Sequence, residues 1–185
     1  MRVARRSSAA RRRARTVIVT GLAAGAARGA VKLGGLAYPC ALGRSGRRAV
    51  KREGDGATPI GCWRLLQVLY RADRGPRPVT GLPVRQIGPS DGWCDAPGDR
   101  NYNRPVRHPY PASAEHLWRA DGLYDIVVVL SHNAMPRVRG RGSAIFMHVA
   151  RSGYAPTEGC IALRDDHLRR LLQRLAAGAR ICIRS

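Results

Sequence analysis

Glycine and proline interrupt this chain so often that a long helix fits almost nowhere. The 185 residues include 21 glycines and 12 prolines, spread along the sequence. Between them lie short apolar runs rich in β-branched side chains, a pattern that predicts strands joined by turns. A chain of this length suits one domain and can bury a core without disulfides or metals. We therefore expect a single-domain, mainly β fold.

Six segments are predicted to form strands. The clearest are the β-branched run at residues 16–20 and a hairpin over residues 30–42 that turns at Gly34 and Gly35. The others are residues 62–71, 123–133, 143–149 and 179–183. They leave room for short helices only.

Two short helices are expected beside the strands. Residues 113–120 carry a suitable N-cap at Ser113. The second helix follows Cys160, and we predict that Asp165 or Asp166 caps it and that Gly178 ends it. Its apolar face consists of four leucines at helical spacing: Leu168, Leu171, Leu172 and Leu175.

The net charge of +21 comes almost wholly from arginine. Seven arginines and no acidic residue lie in residues 1–15, where we predict a basic, disordered arm, followed by one domain over residues 16–185. Such a charge attracts polyanions, among them nucleic acid, anionic lipid and acidic wall polymers. Proteins that read nucleic acid place aromatic residues beside the basic patch. Aromatic residues make up only 5% of this chain, so we expect no specific nucleic-acid partner.

No stretch of the sequence is long and apolar enough to predict a transmembrane segment. The weakly apolar run that begins at Thr16 is interrupted by Gly21, Gly25 and Arg28, so it makes a poor core for a signal peptide. The sequence therefore predicts only a weak export signal.

The cysteines and histidines are not spaced as metal ligands. None of the five cysteines forms a CxxC pair, which argues against a zinc ribbon or a redox dithiol. Three of them, Cys40, Cys62 and Cys182, stand in apolar contexts, where we expect small core residues. We expect no metal and no cofactor.

A histidine and a cysteine twelve residues apart carry the clearest chemical signal. His148 ends a predicted strand, and Cys160 follows Gly159. A thiol with an ordinary pKa of about 8.5 is mostly protonated at neutral pH, and an imidazole within hydrogen-bond reach can accept its proton. Backbone N–H groups near Gly159 could then hold the oxyanion of an acyl-transfer intermediate. The residues alone leave a second interpretation open, in which both side chains only pack the core.

Three stretches of the sequence resemble L,D-transpeptidase (YkuD-like) catalytic domains. HVARSGYAPTEGCIAL, which begins at His148, resembles their signature of a histidine after a strand, a loop, and then Ser/Thr-x-Gly-Cys-Ile/Val. EGDGATPIGCW, which begins at Glu53, resembles their Gly-x-x-Thr-Pro-x-Gly-x-aromatic segment. LRDDHLRRLLQRLAAGARICI resembles their closing helix, glycine turn and strand. The resemblance covers residues 16–185.

The resemblance implies a β-sandwich-like fold with a cleft over the cysteine. In that family the cysteine attacks the carbonyl of a diaminopimelate residue in a peptidoglycan stem peptide and expels the terminal D-Ala, and an amine or water then resolves the thioester. Carried over, Cys160 is the nucleophile, His148 the base and Gly159 part of the oxyanion region. The carbonyl of Val149 orients the imidazole. The implied substrate predicts a periplasmic or cell-envelope location.

The sequence departs from the family pattern at three positions. Val149 stands where glycine is frequent, Glu158 where histidine or arginine is frequent, and Ala162 where arginine is frequent. That arginine is a natural partner for a substrate carboxylate, and we expect Arg151 or Arg164 to substitute for it.

Other substrate-binding residues are expected in the loop of residues 91–111 and near the strand of His148. Trp93, Tyr102 and Asn103 would line the cleft from the loop, His132 would add a polar group, and Thr157 precedes the cysteine. The alternative is that the aromatic residues only anchor the loop and that His132 lies at a capped strand end.

Three other functions remain as alternatives. A carboxypeptidase or hydrolase on the same fold would resolve the thioester with water. A non-catalytic module would bind the cell wall through its basic surface. A nucleic-acid binder would use the arm of residues 1–15, and its DNA affinity would fall steeply with salt. The sequence carries no signal for the acyl acceptor or the oligomeric state.

Overall fold

Short strands dominate the architecture, which is taken from a computed structural model that describes residues 14–23 and 25–185. The strands in the first half of the chain are β1 (Ala14–Gly21), β2 (Arg28–Leu33), β3 (Leu36–Ala41), β4 (Arg47–Arg48), β5 (Thr58–Pro59), β6 (Gly61–Tyr70), β7 (Val84–Gln86) and β8 (Asp91–Cys94). The later elements are β9 (Pro105–Arg107), β10 (Ala114–His116), β11 (Ile126–Leu130), β12 (Phe146–Val149), β13 (Ile161–Leu163), α1 (Asp165–Leu172) and β14 (Leu175–Ile183). The predicted mainly β fold is confirmed.

One large sheet closes on itself and forms the body of the molecule. Its nine strands follow the order β11-β12-β13-β3-β2-β1-β14-β6-β7. Strand β6 is long enough to pair with β14 near its start and with β11 over its second half, and the β6–β11 pairing closes the sheet. The layers expected for a sandwich-like fold are therefore opposite sides of one closed sheet. A three-stranded sheet, β10-β8-β9, lies beside it.

Strand β11 is buried on both faces and separates two apolar clusters. Ile126, Val128 and Leu130 belong to the main core, which also takes the buried face of α1, whereas Val127 and Val129 belong to a second cluster. Alternate residues of a strand point to opposite sides, so a strand covered on both sides must be apolar throughout. This explains the unbroken apolar run in the sequence and places the second cluster under β12.

The helix predicted at residues 113–120 is wrong. Residues Ala114–His116 form strand β10, which pairs antiparallel with β8 and sets Glu115 opposite Trp93. The next residue, Leu117, is fully buried, and its backbone N–H donates to the carbonyl of Asp91. A segment this short has too few residues to reveal a period, and its pairing with β8 decides the structure.

The bounds predicted for the last helix also need correction. Helix α1 begins at Asp165, and the N-cap position belongs to Arg164, which makes no capping hydrogen bond through its side chain. Asp165 and Asp166 instead lie in the first turn, where a carboxylate favours the helix dipole. The helix ends at Leu172, and Gly178 lies inside strand β14 with a φ of +73°.

Two cysteines that we predicted to be core residues form a disulfide. Cys62 and Cys182 are directly opposite each other on antiparallel strands β6 and β14, and they are bonded. Their separation of 120 residues along the chain hides this proximity from sequence inspection. Cys40 is buried in the main core as predicted, and Cys94 is also buried.

The predicted basic arm lies mostly outside the described residues. Strand β1 begins at Ala14, so residues 14 and 15 pair with the sheet instead of belonging to the arm. Within the described ranges, no helix has the length and apolarity needed to cross a membrane.

Reduction of the Cys62–Cys182 disulfide should lower the free energy of unfolding by about 2–5 kcal/mol, because the bond restricts a long loop in the unfolded chain. Thermal unfolding with and without reductant measures this effect. The double variant Cys62→Ser/Cys182→Ser is the control and should be insensitive to reductant. An equal response of wild type and variant would contradict the bond.

Candidate active site

The parallel pairing of β12 with β13 brings the predicted base and nucleophile to one face of the sheet. His148 lies opposite Ala162, and Cys160 precedes Ala162 by two residues. Residues two apart in an extended chain point to the same side, so the thiol and the imidazole share a face. Both side chains line one cavity of about 180 Å³.

The imidazole of His148 is held in one tautomer. Its Nδ1 lies 2.8 Å from the carbonyl oxygen of Val149. A carbonyl can only accept, so Nδ1 carries the hydrogen and the lone pair of Nε2 is free. Burial lowers the pKa of His148 to about 4, although this hydrogen bond opposes the shift. The imidazole is therefore neutral near pH 7 and can accept a proton.

The thiol of Cys160 is protonated in this arrangement. Its Sγ donates to the carbonyl of Ala144 at 3.3 Å and accepts from the N–H of Phe146 at 3.4 Å. Burial and the charge of Glu115 raise the pKa of Cys160 to about 12. In the described hydrogen bonds the thiol has no bond to His148, so the resting pair is a neutral thiol beside a neutral imidazole.

Two threonines fix the backbone at the cysteine. Thr157 Oγ1 donates to the carbonyl of Cys160 at 2.7 Å, and Thr58 Oγ1 lies 3.4 Å from the same oxygen. Gly159 donates its N–H to Thr157 Oγ1 at 3.2 Å. At a φ of +128°, a Cβ on Gly159 would lie 2.8 Å from the carbonyl oxygen of Ala57. Only glycine fits here without strain.

Sequence reasoning missed three residues that line the same cavity. The Tyr124 hydroxyl donates to the Glu115 carboxylate, and the Arg119 guanidinium lies 5.3 Å from the centroid of the Tyr124 ring. The Tyr124 ring also packs edge-on against His148, with 5.4 Å between ring centroids. These residues follow no catalytic spacing, and Glu115 and Arg119 lie in the segment that we predicted as a helix.

The predicted substrate residues separate into two groups. Arg151 and Thr157 line the cavity, as do Glu158 and Ala162. Arg164 is not among the lining residues, and its guanidinium pairs with Asp166 at 3.0 Å. The position of Arg164 outside the cavity lining therefore does not support its predicted contact with substrate.

Asn103 joins the loop of residues 91–111 to the backbone that contacts Cys160. Its Oδ1 accepts from the Trp93 indole N–H at 3.0 Å and from the Ala144 N–H at 3.1 Å. Its Nδ2 donates to the carbonyls of His132 and Asn133. Since the carbonyl of Ala144 accepts from Cys160, Asn103 helps to hold the backbone group to which the thiol is bonded.

The remaining predicted substrate residues are also buried away from the cavity lining. The Tyr102 hydroxyl donates to Glu53, and the His132 Nε2 lies 2.9 Å from the carbonyl oxygen of Arg141. Both side chains are buried. The structure thus favours the alternative in which the loop residues anchor the loop.

Across residues 14–23 and 25–185 no group of three or more His, Cys, Asp or Glu side chains could hold a metal ion.

The low pKa of His148 should make the protein less stable in mild acid. Below its ordinary pKa of about 6.5, the unfolded histidine binds a proton that the folded state excludes until about pH 4. The free energy of unfolding should therefore rise between pH 4 and 6.5, with a share of about 2–4 kcal/mol from His148. Chemical denaturation of wild type and His148→Asn across this range should show a shallower slope in the variant. Parallel slopes would contradict the assignment.

Gly159→Ala should destabilise the protein by about 1–3 kcal/mol and reduce alkylation of Cys160, because the new Cβ would displace the backbone at Ala57. Gly153→Ala is a matched control: its φ of +69° is also left-handed, but its Cβ would meet no atom within 4 Å. Denaturant unfolding of both variants checks the difference. Equal losses would show that the contact with Ala57 does not matter.

Comparison with known proteins gives a family match and several similar solved structures. The family model described as YkuD: L,D-transpeptidase catalytic domain matches residues 23–183. Three solved structures are similar: Bd1075 of Bdellovibrio bacteriovorus (14% identity, TM-score 0.46), L,D-transpeptidase 1 of Mycobacterium tuberculosis (16%, 0.42) and an L,D-transpeptidase of Mycobacterium smegmatis (14%, 0.42). The matches cover 92%, 92% and 94% of this chain, and 48%, 62% and 59% of those proteins, respectively. No curated protein matches. Because the family model spans most of the sequence, the chain belongs to the family of L,D-transpeptidase (YkuD) catalytic domains.

Proposed function

We propose that this chain is a cysteine acyltransferase that acts on the stem peptides of peptidoglycan as an L,D-transpeptidase. The observation that carries the proposal is the shared cavity, which is lined both by the Cys160 thiol and by a neutral His148 imidazole whose Nδ1 is bonded to the Val149 carbonyl. A thiol and a base of this kind are the two groups that acyl transfer through a thioester requires.

The chemistry proceeds by general base catalysis. As Sγ of Cys160 attacks the carbonyl carbon, Nε2 of His148 takes the thiol proton, and the carbonyl of Val149 stabilises the resulting imidazolium through Nδ1–H. The imidazolium then protonates the leaving amine of D-Ala, which leaves a thioester on Cys160. An incoming amine attacks the thioester while His148 takes its proton, and the thiol is restored. Water in place of the amine would give hydrolysis.

The oxyanion is assigned to backbone N–H groups at Gly159 and Cys160. In the free protein the Gly159 N–H already donates to Thr157 Oγ1, so the oxyanion would replace that hydrogen bond. The left-handed backbone at Gly159 and the bond from Thr157 to the Cys160 carbonyl support a fixed geometry at this point.

Arg151 is the preferred partner for a substrate carboxylate. It lines the cavity and is exposed, and the described ion pairs do not include it. We assign Asn103 to support of the thiol, because its Oδ1 accepts from the N–H of Ala144, whose carbonyl accepts from Cys160. Trp93 and His132 contribute through their hydrogen bonds with Asn103.

A cell-envelope location is part of the proposal. Disulfides persist in oxidising compartments, and the Cys62–Cys182 bond fits one. The net charge of +21 favours contact with anionic wall polymers. We further assign residues 14–185, beginning with strand β1, to one catalytic domain.

Cys160→Ala should abolish turnover of a disaccharide-tetrapeptide supplied with a D-amino acid. Mass spectrometry of the products checks this: a cross-linked dimer or an exchanged D-amino acid is expected from wild type and from Cys40→Ala, whose thiol is buried in the main core. Tripeptide with free D-Ala would identify a carboxypeptidase instead. Unreacted tetrapeptide with the wild type would contradict both.

His148→Ala should slow turnover by about a hundredfold or more, because the proton acceptor is lost. It should also slow alkylation of Cys160 by iodoacetamide near pH 7. The two rates are followed by product mass and by the mass of the Cys160 peptide. An unchanged alkylation rate would remove His148 from the mechanism.

A further inference from the structure

The carboxylate of Glu115 lines the catalytic cavity without a cation. It is half-buried at the centre of strand β10, and it accepts a hydrogen bond from the Tyr124 hydroxyl. In the described part of the chain it forms no ion pair. Burial raises the pKa of this carboxyl, as expected when a charge loses water and gains no opposite charge.

The other charged groups of the cavity are either satisfied or positive. Glu158 is paired with Arg44, and Arg119 is paired with Asp121. Arg151 adds an exposed positive charge. The cavity thus offers one uncompensated carboxylate and one available guanidinium.

Glu115 is poorly placed for an enzyme whose thiol must ionise. Its negative charge adds to burial in raising the pKa of Cys160, and Lys51 opposes it only as the smallest contribution. Of the charged groups near Glu115, Asp95 and Glu53 raise its pKa further, and Arg119, which lowers it, is already paired with Asp121. The position of this carboxylate is unfavourable for the thiol of the free protein, and a ligand that neutralises its charge would explain it.

We propose that Glu115 binds a primary ammonium group of the acyl donor, and that the bound cation cancels the negative charge beside Cys160. The thiol then loses its proton to His148 more readily once the donor is in place. The free protein keeps a protonated, weakly reactive thiol. This inference deepens the proposed function, because it names the part of the donor that the cavity recognises.

The same cavity predicts a donor with a zwitterionic end. An ammonium at Glu115 and a carboxylate at Arg151 would use both unpaired charges at once. The side chain of diaminopimelate ends in this pair of groups, whereas a lysine side chain ends in the ammonium alone.

Charged thiol reagents test the ammonium site without any peptidoglycan. The thiolate of Cys160 attacks the sulfenyl sulfur of a methanethiosulfonate, forms a mixed disulfide and releases methanesulfinate. We compare the cationic 2-aminoethyl reagent with the neutral methyl reagent, each normalised to its rate with free glutathione, and follow the mass of the Cys160 peptide. Wild type should prefer the cationic reagent by about tenfold. No preference in wild type would overturn the proposal before any variant is made.

Glu115→Gln keeps an acceptor for Tyr124 but removes the charge. It should lose the preference for the cationic reagent and react faster than wild type with the neutral one. Glu115→Asp keeps the charge and should retain a preference. Glu158→Gln is the matched control, since that carboxylate lines the same cavity but is paired with Arg44 and 76% exposed. An unchanged preference in Glu115→Gln, or an equal loss in Glu158→Gln, would overturn the proposal.

A second measurement uses the donor itself. Acetylation of the side-chain amine of the disaccharide-tetrapeptide should lower kcat/KM of wild type by about tenfold and leave Glu115→Gln little affected. If wild type does not process the tetrapeptide but the reagent preference behaves as expected, the proposed function fails and the ammonium site stands. An equal response of both proteins to acetylation would refute Glu115 as the ammonium partner.

Discussion

His148 and Cys160 lie where they do because β12 and β13 pair in parallel, with His148 opposite Ala162. A one-residue slip of this pairing would turn every side chain of β13 to the other face and separate the thiol from the imidazole. The register is fixed from both sides, because Met147 and Ile161 face the main core while Phe146 faces the second cluster. The packing that stabilises the sheet therefore also aligns the reactive groups.

Burial has opposite effects on the two reactive side chains. It disfavours the charged form of each, so it lowers the pKa of His148 and raises that of Cys160. An ion pair between them is consequently not the resting state, and under the proposed mechanism the proton moves during the attack. The hydrogen bond to the Val149 carbonyl prepares the imidazole for that moment, since it strengthens when the ring becomes charged.

The sequence allowed most strands of the large sheet to be predicted and identified His148 and Cys160 as candidates, because apolar patterning and a short motif are local signals. The helix predicted at residues 113–120 was wrong. Three residues of β10 are too few to show a period, and their partner strand decides their conformation. The sequence also provided no basis for predicting the Cys62–Cys182 bond or the contact of Glu115 with Tyr124. Each depends on strand order and register, which spacing along the chain does not encode.

The four hydrogen bonds of Asn103 have a mechanical consequence. Its amide uses both donors and both acceptor sites to join the Trp93 loop, the turn after β11 and the backbone before β12. A loop fastened in this way cannot swing open without pulling on Ala144 and, through it, on the sulfur. Substitution is then easier at the exposed cavity residue Arg151, where a side chain can be exchanged without moving Cys160.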